Sequence, residues 1–289
     1  KKNNSSDIVF VGTKNHLKKI KINPQFKSRI STVEANDLIE SSDKPTRIIK
    51  NKSESSMVKS INMLKSKEVD AVISAGNTGC LLASSLMLLG KIENIKRPAL
   101  AAFIPTENKG FVLCDVGANA NNKSSHLLEF SIMAEAYIKY LEDVKNPKVA
   151  LLNIGHESNK GNDLMVETFN LLNNELNNFI GNIESRDLFN HKANIVVCDG
   201  FTGNIVLKLI EGLVGKMIKW TNESINKHSI SKIAKPMLYP VFKDIKKSFD
   251  YEEHGGTPLL GVNGIVMKCH GASNSKTIEN ALLKTQLSF

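Results

Sequence analysis

Asp70-Ala71-Val72-Ile73-Ser74-Ala75-Gly76-Asn77-Thr78-Gly79 is the stretch of this 289-residue chain that decides its fold class. Ala71 to Ser74 is a short run rich in β-branched residues, Gly76 to Gly79 reads as a tight turn with an N-cap residue, and Leu81 to Gly90 is apolar at helical spacing. Ala71 to Gly90 carries no charge and is about as long as a membrane span of roughly 20 residues. Two glycines and two polar residues in its middle make it a strand, a turn and a helix of a water-soluble core, not a lipid-facing helix.

The same grammar recurs outward along the chain. Ile8 to Gly12, Phe111 to Asp115, Val149 to Ile154, Ile195 to Asp199 and Ile265 to Cys269 are strand-like runs. Helix-period stretches lie between them, at Ser56 to Lys67, His126 to Leu141, Leu164 to Asn173 and Asn204 to Trp220. Repeated βα units predict an α/β fold, a mainly parallel sheet flanked by helices. No linker marks a domain boundary, so residues 1–289 read as one domain.

Three strand ends carry glycine with Asn, Asp or Thr: Gly76-Asn77-Thr78-Gly79, Asp115-Val116-Gly117-Ala118-Asn119 and Asp199-Gly200-Phe201-Thr202-Gly203-Asn204. Glycine lets the backbone approach a ligand, and the following helix N-terminus favours an anion. Turn and capping chemistry alone calls for the same residues, so both readings stay open. None is a G-x-x-x-x-G-K-[ST] or G-x-G-x-x-G motif, which removes the usual support for nucleoside triphosphate or dinucleotide binding. Gly155-His156-Glu157-Ser158-Asn159-Lys160-Gly161-Asn162-Asp163 places Lys160 in a strand-end loop, where it is either a phosphate ligand or a solvated cation. Gly255 to Gly264 is a ligand-wrapping loop or a hairpin-like structural loop, and it leads to His270 beyond the last strand.

The formal charge is +9 and the isoelectric point near 9.2, which suits an acidic partner or an anionic surface. Scattered lysines, 6% aromatic residues and the lack of a recognition signature disfavour nucleic acid. Cys80, Cys114, Cys198 and Cys269 are too widely spaced for a CxxC metal site or a disulfide framework. No metal and no cofactor is expected. The first residues lack an apolar signal core, so a cytoplasmic location is expected. Within 217–250 the sequence predicts an amphipathic helical hairpin. Ile233, Met237, Leu238, Val241 and Phe242 form its apolar face against Lys232, Lys235, Lys243, Lys246 and Lys247, and Pro236 and Pro240 divide it. That face suits an anionic membrane or a packed partner.

Taken in order, the 70–79 stretch, Arg97-Pro98-Ala99-Leu100-Ala101, Asp115 to Asn119, Lys160-Gly161-Asn162, Phe179-Ile180-Gly181-Asn182, Asp199 to Asn204 and Gly261-Val262-Asn263-Gly264 resemble the successive signatures of PlsX-type phosphate acyltransferases. The resemblance runs through nearly the whole chain. It implies a fold related to phosphate acetyltransferases, and transfer of a long acyl group from acyl carrier protein to inorganic phosphate for phospholipid synthesis. It also implies a homodimer loosely attached to membrane. That family usually opens with a strand and an Asp-Ala-Met-Gly-Gly-Asp segment, and this chain begins beyond that point.

Phosphate is already a nucleophile and a thioester already activated, so positioning and charge stabilisation suffice without a covalent intermediate. The expected catalytic groups are Lys160 on phosphate, Asn204 on the acyl oxyanion, and Asp199 orienting Lys160 or a neighbouring donor. The expected substrate contacts are Gly76, Asn77, Thr78, Gly79, Asp115, Asn119, Asn162, Thr202, Gly203, Asn263 and His270. The alternatives are a short-chain phosphate acyltransferase using a coenzyme A donor, and a non-catalytic anion-binding scaffold.

Overall fold

The computed structural model describes residues 6–40, 42–106, 110–142, 144–190, 192–227 and 255–287. Ten strands are present among them: β1 Ile8–Gly12, β2 Ile30–Glu34, β3 Ala71–Ser74, β4 Ala99–Pro105, β5 Gly110–Cys114, β6 Val149–Asn153, β7 Phe179–Glu184, β8 Ile195–Val197, β9 Thr257–Leu260 and β10 Ile265–Lys268. The helices are α1 Lys14–Leu17, α2 Ile48–Asn51, α3 Ser56–Lys65, α4 Thr78–Leu88, α5 Ser124–Glu142, α6 Asp163–Glu175, α7 Gly200–Lys227 and α8 Ser275–Leu287. Ile233, Met237, Leu238, Val241 and Phe242, the expected apolar face, lie outside the described residues, and of the expected hairpin only 217–227 lies within them, as the end of α7.

β1 and β2 form a parallel pair, and the other strands form one sheet in the order β3-β10-β9-β4-β5-β8-β6-β7. Its outer pairs are parallel: β3 with β10, and β5, β8, β6 and β7 with one another. Between them β9 and β4 run antiparallel to their neighbours. The expected mainly parallel sheet is therefore present, with an antiparallel insertion at its centre. Gly261 to Gly264 is the turn of the β9–β10 hairpin, so the structural reading of that glycine-rich stretch holds.

Strands β4, β6 and β8 are buried along their whole length because helices cover both faces. One core cluster joins α3, α4 and α7 to one face through Ile61, Leu81 and Leu207. The other joins α5 and α6 to the opposite face through Leu127, Phe130 and Leu172. α4 and α7 thus share a face. No helix among the described residues is long and apolar enough to cross a membrane.

Lys284 on α8 lies 5.5 Å from the ring centroid of Phe103 in β4. Burial pulls its ammonium down to about 8, against the attraction of Glu142. The unfolded chain binds that proton more readily, so stability is lost as pH falls from the ordinary lysine value through 8. Lys284→Met is expected to gain about 2 kcal/mol at pH 7 and nothing at pH 11. Urea midpoints at the two pH values check this, and equal gains at both would refute it.

Candidate active site

Where β5 ends, the chain turns on a buried carboxylate. Asp115 Oδ1 accepts from the backbone N–H of Leu100 at 3.0 Å, Gly117 at 3.2 Å and Ala118 at 3.0 Å. Its Oδ2 accepts from the Asn119 N–H at 2.8 Å and Asn119 Nδ2 at 2.9 Å. Asn119 Nδ2 also donates to Pro98 O at 2.7 Å, which ties the loop to the start of β4. Burial pushes the Asp115 carboxyl above its ordinary range, and these donors partly hold it down.

The first turn of α7 locks onto this loop. Gly200 N–H donates to Asn119 O at 3.0 Å, and Cys198 Sγ donates to Asp115 O at 3.4 Å. A Cβ on Gly203 would stand 1.9 Å from Asp115 O. Gly117, at φ +127°, has the Asn204 side chain 3.4 Å from where its Cβ would be. Asp199 caps the helix: its Oδ1 accepts from Thr202 N–H at 2.9 Å and its Oδ2 from Thr202 Oγ1 at 2.7 Å. Of the first four N–H groups of α7, Gly200, Thr202 and Gly203 are thereby engaged, the last on Asp199 O. Phe201 N–H remains, directed along the helix axis toward the N-terminal end of α7.

β6 neighbours β8 in parallel, with Leu151 opposite Val197, so its end loop opens beside Asp199. Asn153 Nδ2 donates to Lys160 O at 3.0 Å and shapes that loop. Asn162 Oδ1 accepts from Met165 N–H at 3.1 Å and caps α6. The Lys160 side chain is exposed. His156 leans away, toward Asp187 at 3.1 Å and Glu184 at 3.6 Å.

Strand direction places the remaining candidates elsewhere. β3 and β10 run opposite to β5, β8 and β6, so Gly76 to Gly79 and His270 leave the other edge of the sheet. In strand order the 76–79 turn is also four spacings from Asp115, roughly 19 Å at about 4.8 Å each, and His270 three, roughly 14 Å. Asn77 Oδ1 accepts from Cys80 N–H at 3.0 Å and caps α4. His270 Nδ1 accepts from Ala272 N–H at 3.2 Å. Asn263 donates to Lys91 O at 2.8 Å, closing the C-terminal end of α4.

The sequence matches the family described as Fatty acid synthesis protein over residues 1–286. A Phosphate acyltransferase of Dictyoglomus turgidum is 45% identical over 97% of this chain and 84% of its own length. One from Clostridium novyi is 42% identical over 98% of this chain and 85% of its own. The chain belongs to the phosphate acyltransferase family.

Solved structures agree on the fold. A branched-chain phosphotransacylase from Enterococcus faecalis V583 superposes with a TM-score of 0.58 at 14% identity, covering 96% of this chain and 97% of its own. EutD phosphotransacetylase from Staphylococcus aureus gives 0.57 at 11% identity, covering 98% and 94%. This phosphate acyltransferase therefore gathers Lys160, Asn162, Asp199, Thr202, Gly203 and Asn204 at one sheet edge with Asp115 and Asn119.

Several expected roles change. Asp115 and Asn119 are buried and bonded to the backbone and to each other, which makes them builders of the loop. Of the two partners expected for Asp199, the bonded one is a neighbouring donor, Thr202, and Gly203 packs against Asp115 O. Asn263 ties the β9–β10 turn to residues 89–91 beyond α4, and the 77–79 turn leaves the opposite sheet edge from the Lys160 loop.

Sequence reasoning missed an outward row on α7. Phe201, Ile205, Leu209, Leu213, Met217 and Trp220 are all about half exposed or more. Their four-residue spacing was legible, but it reads equally as a core-facing stripe.

Proposed function

We propose that this phosphate acyltransferase moves a long-chain acyl group from acyl carrier protein to inorganic phosphate, supplying acyl phosphate for phospholipid synthesis. The observation that supports the chemistry is the interlocked 115–119 loop and first turn of α7, which carries Asn204 and the Phe201 N–H and follows a strand that neighbours the strand of the Lys160 loop. A phosphate oxygen attacks the thioester carbon, the tetrahedral oxyanion accepts from Asn204 Nδ2 and Phe201 N–H, and the C–S bond breaks. The thiol leaves on the carrier after taking a proton from solvent. Lys160 neutralises the phosphate. Cys198 stays out of the chemistry, because burial pushes its thiol well above the ordinary range.

The fatty acid synthesis description of the family supports the long-chain donor. The net charge of +9 supports docking of an acidic carrier and loose attachment to an anionic membrane from a cytoplasmic location. The exposed row on α7 supports a homodimer in which a second copy covers it.

The decisive assay incubates the protein with palmitoyl carrier protein, and separately with acetyl-coenzyme A, each with and without phosphate. Phosphate-dependent release of carrier thiol with formation of palmitoyl phosphate is expected. Turnover with acetyl-coenzyme A alone would select the short-chain alternative, and no turnover with either donor would sink the proposal. Lys160→Ala is expected to raise the KM for phosphate about tenfold, the size of one lost charge-assisted contact. An unchanged KM would remove Lys160 from the site.

A further inference from the structure

Asp115 sits beneath the proposed oxyanion donors without reaching them. It is fully buried, and its two oxygens organise three consecutive backbone N–H groups, 117 to 119, together with Leu100 N–H. The same loop bears on α7 at two places. Asn119 O receives Gly200 N–H, and Gly117 faces the Asn204 side chain, whose Cβ and Cγ lie 3.4 Å from where a Gly117 Cβ would stand. We infer that Asp115 is a positioning residue for acyl transfer, holding the 117–119 backbone so that Asn204 keeps the orientation the oxyanion requires. This rests on the reading of Asn204 given above.

The carboxylate is suited to the task because it accepts only. Five N–H bonds converge on two oxygens, and the four that belong to the backbone cannot turn away. An amide of the same shape puts an NH2 against at least two of them. The loop must then shift, and Gly117 shifts with it. A displacement well under 1 Å at Asn204 is enough to weaken an oxyanion contact whose strength depends on a preset geometry.

Asp115→Asn tests this. In protein that retains a cooperative thermal transition, kcat is expected to fall about 30-fold while KM for phosphate changes less than threefold. On an Asn204→Ala background the same substitution is expected to cost less than threefold in kcat, because the group it positions is gone. A folded Asp115→Asn variant with kcat within twofold of the parent overturns the inference, as does a full 30-fold loss on the Asn204→Ala background. If Asn204→Ala is itself silent, the site reading fails and this inference with it. Should Asp115→Asn not fold, Gly117→Ala reads the same coupling from the other side. It leaves the carboxylate in place, strains the 117 backbone by its positive φ of +127° while setting a methyl in contact with Asn204, and is expected to lower kcat with the same KM and the same non-additivity. Additive loss there counts against the inference.

Discussion

Gly203→Ala is expected to cost about 4 kcal/mol or more of folding stability, a large share of the 5–15 kcal/mol typical of a domain. The added Cβ would fall 1.9 Å from Asp115 O, 3.0 Å from Asp115 C and 2.8 Å from Cys198 Sγ. Ordinary overpacking in a core costs about 1–3 kcal/mol because side chains change rotamer. Here two of the three obstructing atoms are backbone, and that backbone is tethered by the Asp115 carboxylate and by strand β5. The first turn of α7 must therefore lift off the sheet. Gly212→Ala in the same helix is the control: among the described residues no atom outside the helix's own turns lies within 4 Å of the new methyl, and helix propensity favours it by up to about 1 kcal/mol. Denaturant midpoints of the two variants should move in opposite directions. Equal midpoints would show that the 115–119 loop yields easily.

Asn204→Ala is expected to lower kcat by about 100- to 1,000-fold, the range found when one oxyanion donor is removed. The side chain is partly exposed and none of the hydrogen bonds that hold the fold runs through it, so stability should change by less than about 1 kcal/mol. The KM for phosphate should stay within threefold, since Lys160 is untouched. Asn204→Asp should be worse still, because a carboxylate beside a developing oxyanion repels it. Steady-state rates with palmitoyl carrier protein measure both variants. An alanine variant within threefold of the parent would move the oxyanion site away from α7.

The strand-turn-helix units were legible because each depends on near neighbours. Ala71 to Ser74 with Asn77, and Val149 to Asn153 with Asn162, carry their own β-branched or leucine-rich run and their own N-cap. β7 and β9 were missed for the complementary reason. Phe179–Glu184 holds a glycine and an asparagine, and Thr257–Leu260 holds a proline, so neither has strand character without the neighbour that pairs it. α8 was missed as well, its polar first turn giving little period to read.

The chain's order of motifs, by itself, determined its class, its repeated βα units and the phosphate acyltransferase family, because these reside in local pattern and in residue identity. Tertiary structure alone decided which of the glycine turns meet. Inserting β9 and β4 antiparallel reverses the strand direction between β10 and β5, which sends Gly76 to Gly79 to one edge and Asp199 to Asn204 to the other. No local signal records that reversal, since a strand reads the same whichever way its neighbour runs. It also decided that Asp115, an obvious ligand candidate by composition, faces inward. Whether a carboxylate meets substrate or five N–H groups depends on what folds over it.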